Sequence, residues 1–88
     1  MSVTVVVDLK VEDYGKFEKV FAARANARAE AGIDVKPYRD IDNSNRVVAI
    51  GTVSSKEAFW GFMTSLEQQE AMKNAGVQAP PDVTFLEE

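Results

Sequence analysis

Arg24 and Arg28 are the side chains in this 88-residue chain whose type and spacing most readily do chemistry. They stand one helical turn apart in an alanine-rich stretch. Measured from Phe17 at 100° per residue, they fall at about −20° and +20°. Both therefore sit in the middle of an apolar stripe formed by Tyr14, Phe17, Val20 and Phe21. Two guanidiniums there predict a site for a carboxylate or enolate, because a planar fork of donors matches a planar anion. The competing expectation is that the helix runs past whatever it covers. Both side chains would then reach water or acidic partners over their apolar stems. Tyr38 and Trp60 are the next candidates. A tyrosine hydroxyl can donate to, or take a proton from, an oxygenated substrate. Trp60 lies about 100° from Phe59, at the margin of a second helical stripe. It can wall a pocket for a flat ligand or cover a core.

Other polar residues read more plainly. Asp8 ends the first strand, as a buried base or as a solvated carboxylate. Asp40, Asp42 and Asn45 lack the remaining ligands of a calcium loop, and turn chemistry explains them. Glu67, Gln68 and Glu70 read as a solvated helix face. Met63 and Met72 read as core filler.

What is missing narrows the chemistry further. The chain has no histidine and no cysteine. That removes the commonest general base near neutral pH, the commonest metal ligand and all thiol chemistry. No metal site and no cofactor are expected. The formal charge of −4 repels phosphate backbones, so nucleic acid is not an expected partner. No apolar run approaches the ~20 residues of a membrane span. The opening Met1-Ser2-Val3-Thr4 lacks the basic start of a secretion signal, so a cytoplasmic protein is expected.

The elements that must position these residues follow from periodicity. Val3–Leu9 and Val47–Val53 are β-rich segments with apolar residues on both faces, the second within a strand Arg46–Val53. Asp13 can cap a helix that continues through the alanine-rich run, and Gly32 is its natural stop. Ile33–Ile41 is a strand that contains Pro37. Proline cannot donate to a ladder, so this strand belongs at a sheet edge. Asp42–Asn45 turns the chain into the third strand. Ser54 or Ser55 caps a second helix with a stripe of Phe59, Phe62, Met63 and Leu66. Ser65 and Gln68 resemble a capping box, which predicts a break and a further short helix to Asn74. Gly76 ends it, and Pro80-Pro81 leads into a last strand, Val83–Leu86.

The order βαββαβ places strands one and three in the centre of an antiparallel four-stranded sheet. The fold class is α+β, a ferredoxin-like sandwich forming a single domain over residues 1–88. Both helices lie on one face, leaving alternate, largely apolar residues of the central strands on the other. A chain this short hides only about 60 % of its unfolded surface. A second copy packed on the open face is the predicted partner.

This order and open face resemble the dimeric α+β barrel superfamily, and its small members grouped with the antibiotic-biosynthesis monooxygenases. The likeness rests on Asp13-Tyr14 and Phe17 at the first helix, Tyr38-Arg39 before the hairpin, Asn43–Val48 at the turn, and Phe59 with Phe62. It extends through Ala71-Met72 and Ala75-Gly76-Val77 to Pro80-Pro81. The resemblance implies a homodimer and a cofactor-independent, monooxygenase-like enzyme acting on a small aromatic or polyketide-like molecule. It carries no catalytic residues onto this chain. The expected pocket lies between sheet and helices, with Arg24 and Arg28 holding an anion and Tyr38 or Trp60 contacting a ring. Two other functions fit the same residues: a non-catalytic module that binds a small acidic or aromatic ligand, and a structural or stress-related dimer.

Overall fold

The computed structural model describes residues 3–78 and 80–87. Its elements run β1 (Val3–Lys10), α1 (Tyr14–Ala23), α2 (Ala25–Glu30), β2 (Ile33–Arg39), β3 (Arg46–Val53), α3 (Lys56–Met63), α4 (Leu66–Asn74) and β4 (Asp82–Leu86). The strands form one sheet in the order β2-β3-β1-β4, and every neighbouring pair is antiparallel. Strands one and three are central, and the strand carrying Pro37 is an edge. This is the ferredoxin-like α+β arrangement expected from the pattern.

Local chemistry places the boundaries. The Asp13 carboxylate accepts the Gly15 amide at 3.0 Å and starts α1. Ser55 Oγ accepts the Ala58 amide at 3.0 Å and starts α3. Ser65 Oγ accepts the Gln68 amide at 3.3 Å and donates to the Phe62 carbonyl at 2.8 Å, so one hydroxyl closes α3 and opens α4. Gly32 and Gly76 stop the helical pairs at φ +77° and +78°, a region that side-chain-bearing residues rarely adopt.

Three expectations give way. The first helix is not continuous: it breaks at Arg24, between α1 and α2. In an unbroken helix the Phe21 carbonyl would receive the Ala25 amide. It receives instead the Arg24 amide at 3.2 Å and the Arg28 guanidinium, through Nη1, at 2.8 Å. A side chain has taken a backbone acceptor, and the helix turns there. Leu66 does not extend the buried stripe of α3; it opens α4 and is 82 % exposed. The second strand stops at Arg39, and Ile41 stands 99 % exposed in the turn.

Val5, Val7 and Leu9 of β1 and Val47, Ala49 and Val53 of β3 face the helices and form the core with Val11, Phe17, Ile33, Phe59 and Ala75. The opposite face reads in rows across the sheet. Lys36, Ile50, Val6 and Thr84 make one row, Tyr38, Val48, Asp8 and Asp82 the next, and Asp34, Thr52, Thr4 and Leu86 the third. This open face is therefore more mixed than expected. Its apolar strip is Val6, Val48 and a 43 % exposed Ile50, flanked by Tyr38 and Leu86.

Candidate ligand site

A cavity of about 70 Å³ lies between the helices and the covered face of the sheet. Val7, Leu9 and Ala49 form its floor, Phe17, Val20 and Phe21 one wall, and Phe59, Phe62, Met63 and Met72 the other. Met63 and Met72 thus line a cavity rather than merely fill the core. Among the described lining residues, the polar members are Arg24, Arg28 and Gln68.

The break at Arg24 sets the attitude of both arginines. Arg24 Nε donates to Gln68 Oε1 at 3.0 Å, and its guanidinium carbon lies 5.3 Å from the centre of the Phe62 ring. Arg28 lies over Phe21 at 3.6 Å while bonding that residue's carbonyl. Neither has a carboxylate partner: the ion pairs among the described residues are Lys16–Glu12, Arg46–Asp8 and Arg46–Asp40. Burial, and then the positive charge of Arg24, lower the Arg28 guanidinium below the ordinary arginine value. It remains a cation at neutral pH. Two like charges thus stand together at the edge of an apolar cavity, held by neutral acceptors and aromatic faces, with donors to spare.

The four candidate residues do not converge. Arg24 and Arg28 line the cavity. Tyr38 lies on the other side of the sheet, 53 % exposed and beside Val48, so it cannot touch a ring held in the cavity. Trp60 is 42 % exposed, and its ring packs edge-on against Phe59 and Phe85. It lines a separate outer groove of about 400 Å³ with Met63, Thr64, Met72, Pro80 and Pro81. Gln68, read as part of a solvated face, is instead part-buried and holds Arg24. The signal was present: Gln68, Ala71, Met72 and Ala75 share one side of α4 at helical spacing.

The open face carries its own arginine. Arg46 Nη2 meets Asp8 Oδ2 at 2.7 Å, and its Nη1 meets Asp40 Oδ2 at 2.9 Å. Asp8 is therefore an ion-paired residue, neither a buried base nor a freely solvated end. The Arg46 hydrogen bond holds Asp40 below the usual carboxylate range, and the two acids push Arg46 up. Asp40 also accepts the Asp42 amide at 2.8 Å, which is turn chemistry. Among the described residues, no cluster of three or more acidic side chains is placed to hold a metal ion. No helix among them is long and apolar enough to cross a membrane.

No protein-family model matches this sequence, and no curated protein does either. Solved structures do. A Bordetella bronchiseptica protein provisionally classed as an antibiotic biosynthesis monooxygenase superposes with a TM-score of 0.82 at 19 % identity, over 99 % of this chain and 96 % of that one. SnoaB, a cofactor-independent oxygenase from Streptomyces nogalater, superposes with a TM-score of 0.76 at 20 % identity, over 99 % and 92 %. A Caulobacter crescentus protein, also provisionally classed as an antibiotic biosynthesis monooxygenase, gives 0.71 at 20 % identity, over 97 % and 87 %. Over its described residues the chain thus takes the ferredoxin-like α+β fold of the antibiotic-biosynthesis-monooxygenase-like proteins.

Proposed function

We propose that this protein is a small-molecule oxygenase of the cofactor-independent kind, working on an aromatic or polyketide-like acid held in the cavity. The observation that carries this reading is the pair of cationic side chains without acidic partners at the edge of an otherwise apolar cavity. Support also comes from the shared fold with SnoaB, an oxygenase that needs no cofactor. Arg24 and Arg28 take the anion, and the phenylalanine walls take the ring.

Among the described lining residues there is no proton acceptor that works near neutral pH, since arginine and glutamine do not serve. The substrate therefore arrives as its enolate or phenolate, or loses its proton to water under the pull of the two guanidiniums. The anion gives one electron to O2, and the two radicals combine to a hydroperoxide. Loss of water leaves a carbonyl. One oxygen atom stays on carbon, the other leaves with two substrate hydrogens, and no outside reductant is consumed.

The same wall also fits a module that only binds such an acid, because it offers no base. Oxygen uptake separates the two. With hydroxylated arenes or 1,3-diketones, the oxygenase consumes one O2 per carbonyl formed. The pH midpoint of its rate tracks the acid dissociation of the probe across a series, displaced downward by the two guanidiniums. Tight binding without oxygen uptake would leave the binding module. We further propose that two copies pair through the open sheet face, over Val6, Val48 and Ile50, in a reducing cytoplasm that suits a chain without cysteine.

A further inference from the structure

The cavity and the outer groove share part of their walls. Arg24 and Arg28 line only the cavity, and Trp60 and Lys73 line only the groove, but Met63, Met72 and Val77 line both. These three residues are a partition. Its members differ in freedom. Val77 is tied down: it bridges Val11 across the sheet edge, and its amide donates to the Met72 carbonyl at 3.1 Å. The two methionines bring only unbranched side chains, each with three rotatable bonds and no polar atom to re-satisfy when it moves. An apolar partition made of such side chains opens at little cost, whereas one of branched residues would not.

We infer that Met63 and Met72 form a movable wall, and that the substrate is an elongated aromatic acid spanning both spaces. Its anion lies on Arg24 and Arg28, its first ring fills the cavity, and its far end passes the methionines into the groove below Trp60. The cavity of about 70 Å³ is smaller than the ~150 Å³ that accommodates a benzene ring, so a first ring enters only as the methionine wall gives way, and the groove of about 400 Å³ receives the rest. This inference rests on the arginine-site reading above.

The test uses two acids of equal charge and different length, benzoate and biphenyl-4-carboxylate. Trp60 is the only tryptophan in the chain and it lines the groove, so its emission reports a ligand that enters there. Calorimetry of the intact protein should show biphenyl-4-carboxylate binding about tenfold or more tightly than benzoate, from the added apolar burial. The longer acid should change Trp60 emission, and benzoate should not. Met72→Ile, and separately Met63→Ile, stiffen the wall. Each should cut the advantage of the longer acid over benzoate to about threefold or less, whatever happens to benzoate affinity itself, and an unchanged circular dichroism spectrum with a cooperative thermal transition shows that the variant is folded. Equal affinities for the two acids overturn the inference, as does an unmoved Trp60 signal or isoleucine variants that keep the full advantage. If benzoate itself fails to bind, the arginine site is wrong, and this inference falls with it.

Discussion

The two faces of the sheet treat arginine in opposite ways. On the open face, Arg46 stands between Asp8 and Asp40 at 2.7 and 2.9 Å, and its charge is answered within the chain. On the covered face, Arg24 and Arg28 stand side by side against apolar walls, answered among the described residues by Gln68, the Phe21 carbonyl and two aromatic rings. A guanidinium placed for stability usually comes with its carboxylate, as Arg46 does. Two that share a half-buried site without one oppose folding mildly and leave donors unused. On the reading proposed above, the covered face is the place where an anion from outside completes the structure.

The sharpest way to break this comparison is to remove the covered pair. Arg24→Gln with Arg28→Gln should weaken binding of an aromatic acid by about 100-fold or more, since each lost charge-assisted contact is worth about 1.5–3 kcal/mol. Thermal stability should hold or rise, because a like-charge contact disappears. A clear loss of stability with unchanged binding would make the pair structural. The open face is challenged next by Ile50→Glu, which puts a charge in the middle of its apolar strip. Sedimentation should show a dimer for the native chain and a monomer for the variant; a native monomer at micromolar concentration would remove the open face as an interface.

A milder variant makes the two regions alike. Gln68→Glu gives Arg24 the carboxylate that Arg46 already enjoys. Ligand affinity should fall about tenfold, and the thermal midpoint should rise slightly. If affinity is untouched, Arg24 does not meet the ligand. The smallest effect belongs to Arg46→Gln, which should leave ligand binding unchanged and lower stability a little at pH 7. Asp40 has a folded value depressed below its ordinary 3.8, so its contribution is fully present above that pH and fades as pH falls through the folded value. The stability difference between native and Arg46→Gln chains should therefore close on acidification, and a gap that persists in acid would assign the effect to packing.

Much of the fold could be read from the chain. Pro37 marked an edge strand, the caps at Asp13, Ser55 and Ser65 marked helix starts, and Gly32 and Gly76 marked stops, because each acts through chemistry local to its own position. The site was half legible for the same reason. The helical angles of Arg24 and Arg28 put them on the covered side. Tyr38 belongs to the other face, and alternation in β2 carries that answer: Ile33 and Val35 face the core, so Tyr38 faces away. Trp60 was a matter of degree, since the margin of a stripe borders both cavity and groove. The break at Arg24 had no local signal at all. Alanine and arginine both favour helix, and only a side chain folded back on Phe21 interrupts it.

That interruption gives the chain a clock. The Phe21 carbonyl is the acceptor that the Ala25 amide would use if the helix ran straight, and the Arg24 amide and the Arg28 guanidinium now share it. A bound anion that draws Arg28 away would return the carbonyl to Ala25, closing one more rung of the helix. Hydrogen exchange at a single amide would then slow as the site fills, so that ligand occupancy is timed by a proton in the main chain that no ligand touches.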